Sequence, residues 1–309
     1  MTLLTGELEP FSYSVGDLIE RYGQTYLTDA EFIMTKLKEF AARHNDTLED
    51  VLSLYRHFTD HVVDEYRRYA QTGKYRYETG ETPDVVFADG QFDLDYLYVL
   101  TLSTVLNRSR YEVYLHYREM VRKYLKHKNS LLEIGGGNCL DALFASDFAN
   151  VDVYELNEES RVWQEIAGLN GKINLKIKTY DFAESGRYDF VSMLEVLEHV
   201  TDPGAYLCGV HRVLKDEGHA YLTFAVRMPQ FDHFYHFRSI EECQQLLSET
   251  GFGLSDDYCT ISSYLPFTEA ERWQLAADPR YAVTYCCVVD KLPRKTDALL
   301  LDFNLALDN

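Results

Sequence analysis

The stretch NSLLEIGGGNC, Asn129 to Cys139, drives a short apolar strand straight into three consecutive glycines. After a buried strand, glycines let the backbone turn sharply and bring its N–H groups against a ligand that a Cβ would block. Taken alone, the pattern is also that of any tight strand-to-helix connection. Two further strand ends give it weight. Eighteen residues past Gly137 the run VDVYE closes on Glu155, the distance at which an acid at the tip of a second strand accepts from the hydroxyls of a ribose. The following run ends in KTYDFAES, which offers Asp181 to an exocyclic amine and Tyr180 or Phe182 to a purine face. A dinucleotide site would want Gly-x-Gly-x-x-Gly, whereas Gly135, Gly136 and Gly137 are followed by Asn138, Cys139 and Leu140. The missing third glycine favours a nucleoside cofactor without a diphosphate.

From Ser130 onward short Val/Ile/Leu/Tyr/Phe runs alternate with helical stretches, the pattern of a parallel sheet with crossover helices. Strands are expected near residues 130–135, 151–155, 173–178, 188–193, 219–226, 258–264 and 281–290, the last a candidate antiparallel addition. Upstream the periodicity is helical. A helix is expected from Asp29 to His44, N-capped by Thr28, with Phe32, Ile33, Leu37, Phe40 and Ala41 on its buried stripe. Thr47 opens a second helix to Ala70, with Asp50 in the capping-box position. Gly73 to Gly90 reads as an irregular connection, followed by helices at about Asp93 to Asn107 and Ser109 to His127. Residues 1–128 thus form a helical cap, 129–292 an α/β domain and 293–309 a tail whose apolar stripe docks on the body.

The 309 residues, 46% hydrophobic and 26% charged, suit a soluble globular protein with a sizeable core. No apolar run approaches the roughly 18 residues of a membrane span, and the N-terminus lacks the features of a signal peptide. A cytoplasmic protein with no membrane partner is expected. The six cysteines show no paired metal spacing and read as free thiols, with Cys286 and Cys287 on opposite faces of a strand. A net charge of −20 repels phosphate backbones, so no nucleic-acid partner is expected. The densest basic stretch, Arg122 to Lys128, closes a helix, where cations oppose the dipole.

As an ordered series, LLEIGGGNC, VYELN, TYDF, YDFVSMLEVLEHVTDPGAYLCGVHRVLKDEGHAYLTF and HFYHFRSIEECQQLLSETGF, over roughly residues 130–256, resemble the class I S-adenosylmethionine-dependent methyltransferases. The resemblance implies a Rossmann-like, mostly parallel seven-stranded sheet with helices on both faces and the helical cap as a substrate lid. It implies that Gly135 and Gly137 approach the methionine moiety, with Glu133 near its amino group and the Leu194 carbonyl accepting from its ammonium. Glu155 would bind the ribose, Leu156 and Phe182 flank the adenine, and Asp181 receive its amine. The lid would include Tyr96, Tyr98, Tyr111, Tyr114 and Tyr117, with Tyr111 and Arg110 against the cofactor and Arg110 meeting its carboxylate. Arg227 is a further candidate substrate contact.

The run SMLEVLEHV puts Glu195, Glu198 and His199 on the turn after the fourth strand, at the sheet edge where such folds hold ligands. Three readings stay open. Acids at a helix N-terminus are stabilised by about 0.3–1 kcal/mol each with no chemistry required. An imidazole of His199, His233 or His236 could take the proton that a methylated amine or hydroxyl must lose. Glu195, Glu198, His199 and His233 could instead hold Mg, Mn, Fe or Zn. Here the chain resembles two metal-using branches, the polyprenyl-catechol O-methyltransferases of quinone synthesis and the small-RNA 3'-terminal ribose methyltransferases. The expected activity is O- or N-methylation of a neutral or cationic small molecule in specialised, natural-product metabolism. The RNA ribose methyltransferase and a non-catalytic cofactor-binding partner are the alternatives, and a homodimer is compatible with the chain.

Overall fold

The computed structural model describes residue 8 and residues 11–79, 90–126, 129–262 and 267–293. Helices α1 (Ser12–Arg43), α2 (Leu48–Thr72), α3 (Gly90–Leu106) and α4 (Arg108–Tyr124) precede the sheet. Helix α2 starts where the capping box requires: Thr47 Oγ1 accepts from the Asp50 N–H at 3.2 Å, and the Asp50 carboxylate accepts from the Thr47 N–H at 2.8 Å. Helix α1 departs from expectation by starting at Ser12, so Thr28 lies inside it and caps nothing. Gly23, at the non-helical φ 54° and ψ −126°, divides this run into two helical segments across a kink, and Thr28 lies inside the second. Ile33, Leu37, Phe40 and Ala41 are buried, but Phe32, one step round the helix from Ile33, is 38% exposed.

The sheet is built from β1 (Asn129–Ile134), β2 (Ala149–Glu155), β3 (Ile173–Ile177), β4 (Tyr188–Met193), β5 (Leu214–Val226), β6 (Phe252–Ile261) and β7 (Val283–Lys291), in the order β3-β2-β1-β4-β5-β7-β6. The first five run parallel, and β7 pairs antiparallel with both β5 and β6, so the sheet is mixed. Strands β5 and β6 begin earlier than expected: each opens on a single buried apolar residue, Leu214 and Phe252, followed by exposed or half-buried positions, without the apolar run that marks a buried strand. Helices α5 (Leu140–Ala145), α6 (Ser160–Ile166), α7 (Pro203–Val213), α8 (Ile240–Glu249) and α9 (Glu269–Ala277) complete the described elements.

Two apolar cores lie on the two faces of the sheet, and the alternation of β7 feeds both. Cys286 and Val288 pack with Tyr221 in the core shared with the cap, and Cys287 and Val289 pack with Leu222 in the other. All six cysteines are free thiols. The cap is anchored at several points. The Phe40 ring lies 5.5 Å from those of Trp163 on α6 and Tyr98 on α3, edge-on to both. Buried Arg272 of α9 pairs with buried Glu112 of α4 at 3.1 Å, and the Tyr22 hydroxyl donates to the same carboxylate at 2.7 Å. Arg122 and Lys123 occupy the last turn of α4, while residues 127–128, the connection 80–89 and the tail 294–309 lie outside the described residues. Among the described residues, no helix is long and apolar enough to cross a membrane.

Candidate functional site

Beyond β1 the chain turns through Gly135 at φ 73°, Gly137 at φ 51° and Cys139 at φ 51° before entering α5. A Cβ at any of the three glycines would collide with a neighbour: Val196 at Gly135, Val153 at Gly136 and Leu100 of the cap at Gly137. Positive φ adds backbone strain at Gly135 and Gly137 for any side chain. Facing this bend, the Glu155 carboxylate accepts from the Gly137 N–H at 2.6 Å and from the N–H groups of Leu156 and Asn157 at 2.7 and 2.9 Å. An acid is therefore fixed at the end of β2, against the loop.

Below the loop is a buried polar pit. Glu133, expected near a cofactor amine, is 2% exposed and accepts from Ser192 Oγ at 3.4 Å. Burial, then Asp141, pushes its carboxyl well above the usual carboxylate range. Arg110 pairs with Asp141 at 3.1 Å, yet its Nε and Nη1 find no hydrogen-bond partner among the described residues. Unmade hydrogen bonds on a buried guanidinium are costly, and an anion arriving at the loop would satisfy them. Tyr111, expected beside Arg110, is 100° further round α4 and belongs to the cap core. Its hydroxyl donates to Asp29 at 2.9 Å, and its ring sits 5.3 Å from those of Tyr22 and Tyr26. The cofactor contact expected of Tyr111 is therefore corrected.

On the purine side Leu156 is 66% exposed, and the exposed Asp181 accepts from the Ala183 N–H at 3.0 Å. Phe182, at φ 52°, lays its ring over Gly209, where a Cβ would not fit. Tyr180 is buried edge-on to Tyr154 at 4.6 Å and lies in the sheet core, which corrects its expected place over a purine. Leu194 is buried at the end of β4.

The acids after β4 do not sit on a helix N-terminus, as the dipole reading requires. Glu195 has φ 54°, Leu197–His199 is a single 3-10 turn, and α7 begins only at Pro203. Glu195 turns away to Thr223, whereas Glu198 is fully buried with both carboxylate oxygens lacking a hydrogen-bond partner among the described residues. Burial, then Glu195, pushes the Glu198 carboxyl well upward. The Glu198 carbonyl accepts from the N–H groups of Phe234 and Tyr235 at 2.7 and 3.0 Å, tying this turn to the loop after β5. That loop brings His233 against His199 with ring centroids 4.9 Å apart. His199 Nδ1 is 2.8 Å from the Asp232 carbonyl and His233 Nδ1 2.7 Å from the Met228 carbonyl. Since a carbonyl only accepts, each Nδ1 is a donor, which leaves Nε2 as the nitrogen that faces the cluster.

Ligand atoms of Glu198, His199 and His233 all lie within 4.8 Å of one another. Glu195, expected as a fourth ligand, is not in this group. Asp232, which the sequence reading passed over although it adjoins His233, is buried with Oδ1 unpartnered among the described residues and 4.0 Å from His233 Nε2. Burial lowers the His233 imidazolium to about 4, so the ring is neutral at pH 7 and a weak base. His236 is remote from this chemistry: it stacks on Tyr75 at 4.0 Å, and its Nδ1 lies 2.9 Å from Glu78. That corrects its candidacy as a base. Arg227, too, is structural, donating to the carbonyls of Tyr281, Arg238 and Ala276. Of the expected tyrosine lid, Tyr98, Tyr111, Tyr114 and Tyr117 are core residues, and Tyr96 is half-buried on α3.

Residues 106–255 match the family described as a methyltransferase domain. A curated relative, the ubiquinone biosynthesis O-methyltransferase of Pseudomonas aeruginosa, is 31% identical over 106 residues, 32% of this chain and 46% of that protein. Its counterpart from Bordetella avium is 27% identical over 106 residues, 32% and 44% of the two chains. The match therefore spans about half the length of these relatives. Among solved structures, the 1,6-didemethyltoxoflavin-N1-methyltransferase of Burkholderia thailandensis is 13% identical with a TM-score of 0.45, over 64% of this chain and 87% of that one. No conclusion rests on a likeness that loose. The glycine bend, Glu155 and the cluster of Glu198, His199 and His233 all fall inside residues 106–255, the span that matches the methyltransferase-domain family.

Proposed function

We propose that this chain is an S-adenosylmethionine-dependent methyltransferase that methylates a hydroxyl of a small, neutral or cationic molecule, with a divalent cation held by Glu198, His199 and His233. The observation that carries the reading is the Glu198 carboxylate, fully buried and without a hydrogen-bond partner among the described residues, beside two imidazoles whose Nδ1 atoms are engaged by backbone carbonyls, so that Nε2 of each can face a cation. Buried charge left unpaired is expensive, and a cation would compensate it. The relatives' name as O-methyltransferases supports oxygen as the acceptor atom.

The residues present fit the cofactor. The glycine bend offers a surface that a Cβ would fill, the spare N–H groups of Arg110 suit a carboxylate, and Glu155 suits a pair of ribose hydroxyls. S-adenosylmethionine, when bound, supplies an electrophilic methyl on a sulfonium. A divalent cation, when bound, acidifies a hydroxyl that ligates it. The protein's own part is placement: Glu155 and the loop hold one reactant, the histidine pair and Glu198 define the position of the other, and the cap excludes competing water. The net charge of −20 argues against an RNA acceptor.

The test is turnover of S-adenosylmethionine with a panel of catechols and simple amines, after chelation and after adding back Mg, Mn, Fe or Zn. Methylation of a catechol hydroxyl that chelation abolishes and one of these ions restores is expected. Full activity after chelation removes the cation from the reading, and failure to bind S-adenosylhomocysteine in calorimetry removes the reading altogether.

A further inference from the structure

Resting on that functional reading, the loop after β5 brings a second carboxylate to the histidine corner. Asp232 is 1% exposed, and its Oδ1 has no hydrogen-bond partner among the described residues. Its Oδ2 stands 3.7 Å from His199 Nδ1, a nitrogen already engaged by the Asp232 carbonyl at 2.8 Å. Among the described residues, neither Asp232 nor Glu198 forms an ion pair with a lysine or an arginine; histidines are their only neighbours of that kind.

The backbone around Asp232 is held on both sides. Tyr77 donates to the Phe231 carbonyl, His199 to the Asp232 carbonyl, and the N–H groups of Phe234 and Tyr235 donate to the Glu198 carbonyl. The carboxylate is thus pinned against the same turn that carries Glu198 and His199.

Two atoms that each ligate one divalent cation at about 2.1 Å stand at most about 4.2 Å apart. His199 Nε2 and Glu198 Oε1 are separated by 3.9 Å, and His233 Nε2 and Asp232 Oδ1 by 4.0 Å. Each imidazole is therefore matched with one unpartnered carboxylate oxygen at a distance that a shared cation can span. Glu198, His199 and His233 form the tighter group, so Asp232 closes on it from the His233 side. Charge leads to the same set. Two buried carboxylates without a cationic partner are costly, and one divalent cation compensates both.

We propose that Asp232 is the fourth protein ligand of the cation, in the role that the sequence offered to Glu195. The set is then two imidazole nitrogens and two carboxylate oxygens. Such a mixture suits Mn, Fe or Zn, whereas Mg and Ca favour oxygen ligands. Glu195 stays outside it, because its carboxylate is held by Thr223.

The experiment titrates Mn into the chelated protein by calorimetry, comparing wild type with D232N, E198Q and E195Q, and follows thermal unfolding of each with and without the ion. D232N should lose about a hundredfold in Mn affinity and E198Q at least as much, while E195Q stays within about twofold of wild type. Without the cation, D232N should unfold at or above the wild-type temperature, because an unpaired buried charge has been removed. Saturating Mn should raise the wild-type midpoint and leave that of D232N nearly unchanged. A D232N protein with wild-type Mn affinity overturns the assignment and leaves the cation at Glu198, His199 and His233 intact. So does a D232N protein destabilised equally with and without Mn, the mark of a purely structural aspartate. If wild type binds neither Mn, Fe nor Zn, the cation reading and this assignment fall together, and S-adenosylhomocysteine binding still decides the methyltransferase reading.

Discussion

Thr223 and Glu195 hold each other by two hydrogen bonds across the gap between β5 and the turn after β4. Thr223 Oγ1 accepts from the Glu195 N–H at 2.7 Å and donates to the Glu195 carboxylate at 2.9 Å. This pairing keeps Glu195 in its left-handed conformation, at φ 54°, and turns its side chain away from the histidine pair. The Glu195 carboxylate thereby has a partner, whereas the Glu198 carboxylate has none among the described residues.

Replacing Thr223 by valine preserves shape and removes both bonds. T223V should lose about 1–3 kcal/mol of unfolding free energy, the cost of leaving partly buried polar groups unsatisfied, and T223S should recover most of it. Urea denaturation decides this, and a T223V protein as stable as wild type would show that Glu195 is held by something else.

The glycine bend separates two costs that usually travel together. Gly186 has φ 59° with open space around it, whereas Gly137 has φ 51° and Leu100 against it. G186A should cost only the backbone strain, about 1 kcal/mol. G137A should cost more and also weaken S-adenosylhomocysteine binding, with L100A restoring part of the stability in the double mutant. Equal losses for G137A and G186A would contradict the close approach of the cap to the loop.

Glu155 orders three backbone N–H groups besides facing the cleft. E155A should abolish detectable S-adenosylhomocysteine binding in calorimetry. E155Q keeps one acceptor oxygen and should weaken binding by more than about tenfold, since one charge-assisted hydrogen bond is worth about 1.5–3 kcal/mol. Wild-type affinity in E155A would remove this acid from the site.

His116 gives a pH dependence whose direction follows from its burial. The ring is stacked on Tyr258 at 4.7 Å, and its Nδ1 lies 3.1 Å from the Tyr221 hydroxyl. Burial lowers its imidazolium to about 4. The folded pKa lies below the unfolded value of about 6.5, so the unfolded chain binds the extra proton first. Stability from this group is present above pH ~6.5 and drains away as the pH falls towards 4, by up to about 3 kcal/mol. In urea titrations between those limits, H116Q should lose stability less steeply than wild type on acidification. Parallel curves would mean that the histidine is hydrated in the native state.

Local chemistry made much of the architecture legible. The strand-to-glycine transition at Ile134, the acid at the end of β2 and the capping box at Thr47 are short-range features, each dictated by residues within a few positions. The same is true of Cys286 and Cys287, whose assignment to opposite faces needs only the period of a strand. Where the local signal was misleading, a longer-range contact had prevailed. Helical periodicity begins at Ser12, before the kink at Gly23, and the largely exposed starts of β5 and β6 are held by pairing with strands far away in sequence. Tyr111 and Tyr180 carry the composition of a ligand wall, yet the interior took them up because aromatic burial against Tyr22, Tyr26 and Tyr154 is the larger gain.

The order of residues by itself determined that three glycines follow a buried strand and that acids terminate the neighbouring strands, because both depend on backbone periods of two and on the absence of a Cβ. Which acid is left unsatisfied was decided only in three dimensions. Thr223 claims Glu195, and the loop after β5 carries His233 and the overlooked Asp232 to Glu198. Those partners lie 28 or more residues apart, and only packing brings them within reach of one another.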